Sequence, residues 1–168
     1  MNVFEFAMKM EKDGESYYRE LANRTVSGGL KKIFTMLADA EVVHYVTFRK
    51  MKDNESVEPA DIKILSETKN MFLRMKEEEK GTDLTITQTE LYKKANEAEK
   101  ESRDFYLEQA NKAADPAQKK IFTKIADEEQ RHYMILEEIV NFVARPEVGS
   151  KTPNGTTWRN IRKRDKAR

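Results

Sequence analysis

The chain contains two histidines, and each follows a glutamate by three positions: Glu41 precedes His44, and Glu129 precedes His132. Residues three apart on a helix lie on one face, so each pair can present a carboxylate and an imidazole to the same point. Oxygen and nitrogen donors of this kind suit iron or manganese. With no cysteine in the sequence, disulfides, thiolate zinc sites, Cys-ligated iron–sulfur centres and a cysteine nucleophile are excluded.

Both pairs lie inside a repeated stretch. The segment KKIFTMLADAEVVHY, residues 31–45, returns as KKIFTKIADEEQRHY, residues 119–133, with ten of fifteen positions identical. The same offset of 88 residues (119 minus 31) relates the segments that come before them. Ala7, Glu11, Tyr18 and Ala22 then match Ala95, Glu99, Tyr106 and Ala110. The sequence therefore predicts two copies of one helical hairpin.

The repeated polar residues lie on the apolar faces of their helices. In the second predicted helix, Glu41 and His44 continue the stripe of Ile33, Leu37, Phe48 and Met51. In the fourth, Glu129 and His132 continue the stripe of Ile121, Ile125, Leu136, Ile139 and Val143. In the first and third, Glu11 with Tyr18, and Glu99 with Tyr106, lie seven apart on one face.

Four glutamates and two histidines are thus expected to converge in the interior. Burying four carboxylates together costs several kcal/mol each through desolvation and mutual repulsion, and a helical bundle gains nothing from this by itself. A pair of divalent or trivalent metal ions would balance the charge.

The elements that position these residues are predicted to be helices. Charged residues make up 36% and hydrophobic residues 38% of the chain, with only 6 Gly and 4 Pro. We predict a first helix from Phe4 to near Arg24 and a second after an N-cap at Ser27. A third is expected from Gln88 to about Ala114. A fourth has Asp115 as N-cap and Pro116 at its first position, and ends before Arg145 and Pro146.

The predicted fold is all-α: a four-helix bundle over residues 1–144, built from two antiparallel hairpins and joined by a crossover at 54–87 that contains a short helix. Residues 145–168 form a basic tail, which could touch nucleic acid or an acidic partner but is better explained as a solvated or loosely docked terminus. The formal net charge of +1 gives no argument for nucleic acid or membrane as a partner. With neither a signal peptide nor a membrane-spanning run in the sequence, a cytoplasmic location is expected.

Residues 3–144 resemble the ferritin-like di-iron carboxylate superfamily and, within it, the rubrerythrin family. The resemblance rests on Glu in the first helix, Glu-x-x-His in the second, Glu in the third and Glu-x-x-His in the fourth. It implies a ferritin-like bundle that binds two iron ions, with manganese or mixed metals as alternatives. The implied roles are terminal ligands for Glu11 and Glu99, bridging ligands for Glu41 and Glu129, and one metal ion each for His44 and His132.

The same resemblance implies that Tyr18 and Tyr106 hydrogen-bond to ligand carboxylates and orient them. From the bare sequence these tyrosines are equally well explained as core aromatics with satisfied hydroxyls.

The sequence departs from the rubrerythrin pattern in two ways. Rubrerythrins carry a second glutamate three residues after the first in the third helix, and it exchanges with histidine as the irons change redox state; here that position is Ser102. Glu97 and Glu101 are alternative candidates for an added ligand. Typical rubrerythrins also end in a cysteine-ligated rubredoxin domain, and this chain has no cysteine. Turnover is therefore expected to need an external electron-donor protein such as a rubredoxin.

Three functions are compatible with these residues. The leading hypothesis is a di-iron oxidoreductase that reduces hydrogen peroxide or dioxygen. The second is a ferroxidase or iron-handling protein, in which the same site oxidises ferrous ion and passes ferric ion on. The third is a metal-stabilised helical interaction module without catalysis. A homo-oligomer, with a dimer as the expected form, is predicted, and the long crossover would permit helix exchange between chains.

Overall fold

The computed structural model describes residues 1–58, 64, 68, 70 and 88–144. The long helices in these ranges are α1 (Val3–Arg24), α2 (Gly28–Lys52), α3 (Thr89–Lys112) and α4 (Pro116–Ala144), and the described residues contain no strand. Helix α1 packs along α2, and α3 along α4, whereas α1 meets α3, and α2 meets α4, at few positions. The prediction of an all-α bundle made of two paired hairpins is confirmed.

Polar caps set the starts of the helices. Asn2 and Glu5 form a capping box at the start of α1, with each side chain accepting from the other residue's backbone N–H. The predicted N-cap of α2 is confirmed, because the Ser27 hydroxyl accepts from the backbone N–H of Leu30 at 3.1 Å. At the start of α4, the Asp115 carboxylate accepts from the backbone N–H of Ala117 at 3.0 Å.

The third helix is shorter than predicted. It ends at Lys112 rather than at about Ala114, and Ala113 has extended backbone angles of φ −66° and ψ 121°. A residue that precedes proline disfavours the helical region, so the chain leaves the helix before Asp115 and Pro116.

Two apolar clusters fill the core. One lies towards the junction of α1 with α2 and includes Leu21, Leu30, Phe34 and Leu136. The other lies towards the opposite end of the bundle and includes Ala7, Phe48, Tyr106, Phe122 and Ile125. Because both clusters are built from both hairpins, their burial holds the hairpins together on either side of the layer that carries the polar residues.

Most of the crossover predicted at 54–87, and the whole tail predicted at 145–168, lie outside the described residues. Of the crossover's predicted short helix, the structure describes Ile64, Thr68 and Asn70 as helical. Ile64 packs in the cluster that contains Leu30, and the Thr68 hydroxyl donates to the backbone carbonyl of Ile64 at 2.6 Å. None of the described helices has both the length and the apolar character that a membrane crossing requires.

Candidate metal centre

All six side chains that were predicted from the sequence to be metal ligands lie in the interior between the two apolar clusters. Each of the four helices contributes to this layer, and none of the six residues is more than 5% exposed. They are Glu11 of α1, Glu41 and His44 of α2, Glu99 of α3, and Glu129 and His132 of α4.

These six residues form two overlapping groups of donor atoms. One group contains Glu11, Glu41, His44 and Glu129, and the other contains Glu41, Glu99, Glu129 and His132; within each group one donor atom per residue lies within 4.8 Å of all the others. Glu41 and Glu129 belong to both groups. This arrangement has the form of two adjacent cation sites that share two carboxylates.

Both imidazoles present the same nitrogen to the groups. His44 Nδ1 lies 3.3 Å from a Glu11 oxygen and 3.4 Å from a Glu129 oxygen. His132 Nδ1 lies 3.1 Å from an oxygen of Glu41 and 3.1 Å from one of Glu129. The two rings are nearly parallel, with centroids 5.8 Å apart. Nδ1 is therefore the atom that each histidine can offer to a cation.

The two tyrosines connect the hairpins in a reciprocal way. The Tyr18 hydroxyl of α1 donates to the Glu99 carboxylate of α3, and the Tyr106 hydroxyl of α3 donates to the Glu11 carboxylate of α1. Both rings are almost completely buried. Burial, followed by the charge of the contacted glutamate, raises the pKa of each phenol, so both hydroxyls keep their protons.

Sequence reasoning missed Glu128, which is buried beside the site. One of its carboxylate oxygens lies 2.5 Å from His44 Nε2, the ring nitrogen that faces away from the two groups. The signal was present in the repeat, because Glu128 occupies the position equivalent to Ala40 and is one of the five positions that differ. Glu128 lies beside the apolar stripe of α4 and not on it, so the helical period of apolar residues does not identify it as an inward residue.

The clustered charges perturb one another strongly. Burial and the neighbouring glutamates raise the pKa of Glu41 well above its ordinary value, and burial raises that of Glu99 to about 8. Burial alone would raise the pKa of Glu129, but contacts with the His132 and His44 rings lower it. For both histidines burial opposes the charged form, yet the adjacent carboxylates raise the pKa. The protein thus favours positive charge in this layer, as protons or as metal ions.

Several of the buried polar atoms lack a hydrogen-bond partner in the described part of the chain. They are Oε1 of Glu41, both carboxylate oxygens of Glu129 and both ring nitrogens of His132. An unsatisfied buried polar atom costs about 1–3 kcal/mol, so this concentration needs a compensating group. Metal ions would satisfy the carboxylate oxygens and an imidazole nitrogen together. The residues present therefore fit a pair of metal ions.

The other candidate positions on α3 lie outside both groups. Glu97 and Glu101 are exposed, and neither belongs to the donor groups found among the described residues. Ser102 is half-buried and lines a pocket together with Glu41 and Glu99. Glu99 is thus the α3 residue that the structure brings to the candidate metal centre.

A four-helix bundle with one inward glutamate on each of two helices, and an inward Glu-x-x-His on each of the other two, defines the ferritin-like class of carboxylate-bridged two-metal proteins. The family model for rubrerythrin matches residues 2–140 of this chain. The chain belongs to the rubrerythrin family. Searches among curated proteins and among solved structures found no match.

Proposed function

We propose that this protein is a di-iron oxidoreductase that reduces hydrogen peroxide or dioxygen, with electrons from a separate donor protein such as a rubredoxin. The observation that supports this proposal is the sharing of Glu41 and Glu129 by the two donor groups. Two ions held by these shared carboxylates would be neighbours and could act together on one O–O bond. Bound as a ferrous pair, the ions would supply two electrons, which with two protons convert one peroxide into two waters.

The side chains have distinct tasks in this proposal. Glu41 and Glu129 would hold both ions, and the four carboxylates would balance the four positive charges of a divalent pair. Glu11 with His44 completes one site, and Glu99 with His132 completes the other. Tyr18 and Tyr106 hold the Glu99 and Glu11 carboxylates in fixed orientations by donating hydrogen bonds across the hairpins. The apolar clusters close the two ends of the layer to water.

An anaerobic titration with ferrous ion tests the proposal. We expect two ferrous ions per chain, and then full oxidation by one peroxide per pair, measured by Mössbauer spectroscopy. A Glu41→Gln variant should lose the coupled signal of a metal pair, whereas Glu97→Gln, which alters an exposed carboxylate of α3, should behave like the wild type. Two bound ferrous ions that peroxide leaves ferrous would show that the site is not a peroxide reductase.

An excess of ferrous ion under air separates this proposal from a ferroxidase. A reductase that depends on an external donor should oxidise about one pair of ferrous ions per chain and then stop. A ferroxidase passes ferric ion on and should continue well beyond one pair. Oxygen uptake measured against added ferrous ion distinguishes the two outcomes.

A further inference from the structure

A pocket between α1 and α3 leads to the donor groups. Its volume is about 340 Å³, and Tyr18, Glu41 and Glu99 form its buried inner part. Its outer part includes Asp13 and Glu101, which are exposed. Hydrogen peroxide and dioxygen each have only two non-hydrogen atoms, so they do not require an opening of this size.

The opposite side of the candidate metal centre is closed. Between α2 and α4, the cavity beside His44 and Glu128 has a volume of about 10 Å³, and Ile121 and Ile125 are among the residues that line it. A cavity of roughly this size is the smallest that holds a single water. Of these two sides of the bundle, only the one between α1 and α3 has room for a solvated ligand.

Residues at equivalent positions of the two repeats line the opening of this pocket. Residues 11–14 read EKDG and residues 99–102 read EKES, so Asp13 corresponds to Glu101 and Gly14 to Ser102. These four residues all line the pocket, and each repeat contributes one acidic residue and one small residue. Each small residue follows its inward glutamate by three positions and therefore shares its helix face.

The small size of Gly14 keeps space next to a shared carboxylate. A Cβ atom at Gly14 would lie 3.4 Å from Oε2 of Glu41, which is ordinary van der Waals contact. A longer side chain would extend beyond that point into the pocket that leads to Glu41. Ser102, the equivalent residue of the other repeat, also lines the pocket, and its side chain is short.

The charge of the pocket favours a cation. At the rim, Asp13 and Glu101 outnumber the one base of the lining, Lys94, and the carboxyl groups of Glu41 and Glu99, which are candidate metal ligands, lie at the inner end. Asp13 also pairs with Lys9 at 2.8 Å, but both side chains are about two-thirds exposed, so this pair contributes little stability and Asp13 can exchange Lys9 for another cation. At the inner end, Oε1 of Glu41 is buried without a hydrogen-bond partner among the described residues. Clefts lined mainly by one sign of charge raise the local concentration of the opposite ion.

The volume suits a hydrated metal ion. Six waters occupy about 180 Å³ at roughly 30 Å³ each, which is well within the 340 Å³ of the pocket. We propose that this pocket is the route by which hydrated divalent metal ions reach the site, with Asp13 and Glu101 attracting the ion and Gly14 and Ser102 leaving the passage open. The proposal rests on the metal-binding part of the proposed function.

The rate of cobalt(II) uptake tests the role of the rim. The protein is freed of metal with a chelator and mixed with Co²⁺ in a stopped-flow spectrometer, where ligand-field absorbance reports binding. In Asp13→Asn/Glu101→Gln, uptake at low ionic strength should slow by roughly tenfold because electrostatic attraction is weaker, and the difference should shrink in high salt. The final cobalt content should not change. The matched control is Glu20→Gln/Glu97→Gln, which also removes one exposed acid from each helix.

A blocking variant tests the passage itself. Ser102→Leu should slow uptake at every ionic strength, because its effect is steric, and should leave the final cobalt content at the wild-type value. Wild-type uptake rates in the rim variant at low salt, or in Ser102→Leu, would overturn the proposed route while leaving the metal site intact. A wild-type protein that binds no cobalt at equilibrium would instead overturn the metal site, and the route with it.

Discussion

His44 and His132 occupy equivalent positions in the two repeats, yet their outer ring nitrogens have different surroundings. Nε2 of His44 contacts the Glu128 carboxylate, whereas Nε2 of His132 has no hydrogen-bond partner among the described residues. The sequence accounts for part of this difference, because the position equivalent to Glu128 in the other repeat is Ala40. A carboxylate on the outer nitrogen fixes the tautomer that leaves Nδ1 free to bind a metal, and it makes the imidazole a stronger ligand. The two halves of the site are therefore chemically unequal.

Replacement of Glu128 should weaken the binding of one metal ion more than the binding of the other. Glu128→Ala removes the acceptor for His44 Nε2–H and should lower the affinity of the ion held by Glu11 and His44 by roughly ten- to a hundredfold. Glu128→Gln keeps an acceptor oxygen without the charge and should have a smaller effect. Equilibrium titration with Co²⁺ against a competing chelator measures both binding steps.

Asp127→Asn is the matched control for this experiment, since Asp127 is the exposed neighbour of Glu128 on α4. It should leave both binding steps at their wild-type values. Equal weakening of the two steps in Glu128→Ala, or no weakening at all, would contradict the assignment of Glu128 to the His44 side.

The six candidate ligands could be predicted from the sequence because helical periodicity indicates which residues face the core. Glu41 and His44 fall in an apolar stripe at its own spacing, so the sequence alone predicts that they face the core. Glu128 could not be found in this way. It flanks the stripe, and its contact with His44 depends on how α2 and α4 pack, which is a tertiary property that the period of one helix does not contain.

At the scale of the elements, polar caps and short connections define the two hairpins. Residues 25–27 connect α1 to α2, Ser27 caps the start of α2, and this junction lies at one end of the cluster that contains Leu21 and Leu30. The start of α2 was predictable because its cap is a local side-chain signal. The end of α3 was harder to predict, because Ala113 and Ala114 have high helix propensity and Pro116 directly restricts only the residue before it, Asp115.

Loss of the α2 cap should reduce stability without changing the metal site. Ser27→Ala leaves the buried backbone N–H of Leu30 without its acceptor, so the free energy of unfolding should fall by about 0.5–2 kcal/mol. Urea denaturation followed by circular dichroism measures this loss. Ser16→Ala is the control, because the Ser16 hydroxyl bonds to the Lys12 carbonyl on an exposed helix surface. An unchanged urea midpoint in Ser27→Ala would show that the cap does not stabilise the bundle.

For the whole molecule, the polar layer divides one core into two apolar clusters. The clusters join the hairpins, and the layer between them opposes folding unless its charges are balanced. The bundle and its two-fold repeat were predictable from the sequence because both follow from periodicity and duplication. The oxidant, the electron donor, the cellular location and the oligomeric state stay predictions, because they depend on other molecules and on residues beyond the described ranges.

Metal binding should therefore stabilise the whole bundle. The Glu41→Gln variant distinguishes this stabilisation from the destabilising effect of the buried Glu41 charge. A ligand at a hundred times its dissociation constant adds about 2.7 kcal/mol to the free energy of unfolding for each site, so wild-type protein with excess Co²⁺ should resist urea far better than protein in a chelator. Burial raises the pKa of Glu41, and a carboxyl whose pKa is raised by folding destabilises the folded state at pH values above its ordinary pKa.

Neutral glutamine removes that cost. In the chelator, Glu41→Gln should consequently be at least as stable as the wild type, while in excess Co²⁺ it should lose most of the wild-type gain, because Glu41 belongs to both donor groups. The order of stability of the two proteins should reverse between the two conditions. Urea midpoints of both proteins, each measured with and without metal, provide the comparison. If the wild type binds two cobalt ions without a shift of its midpoint, or if Glu41→Gln gains as much as the wild type, then the buried charge layer is not what couples metal binding to folding.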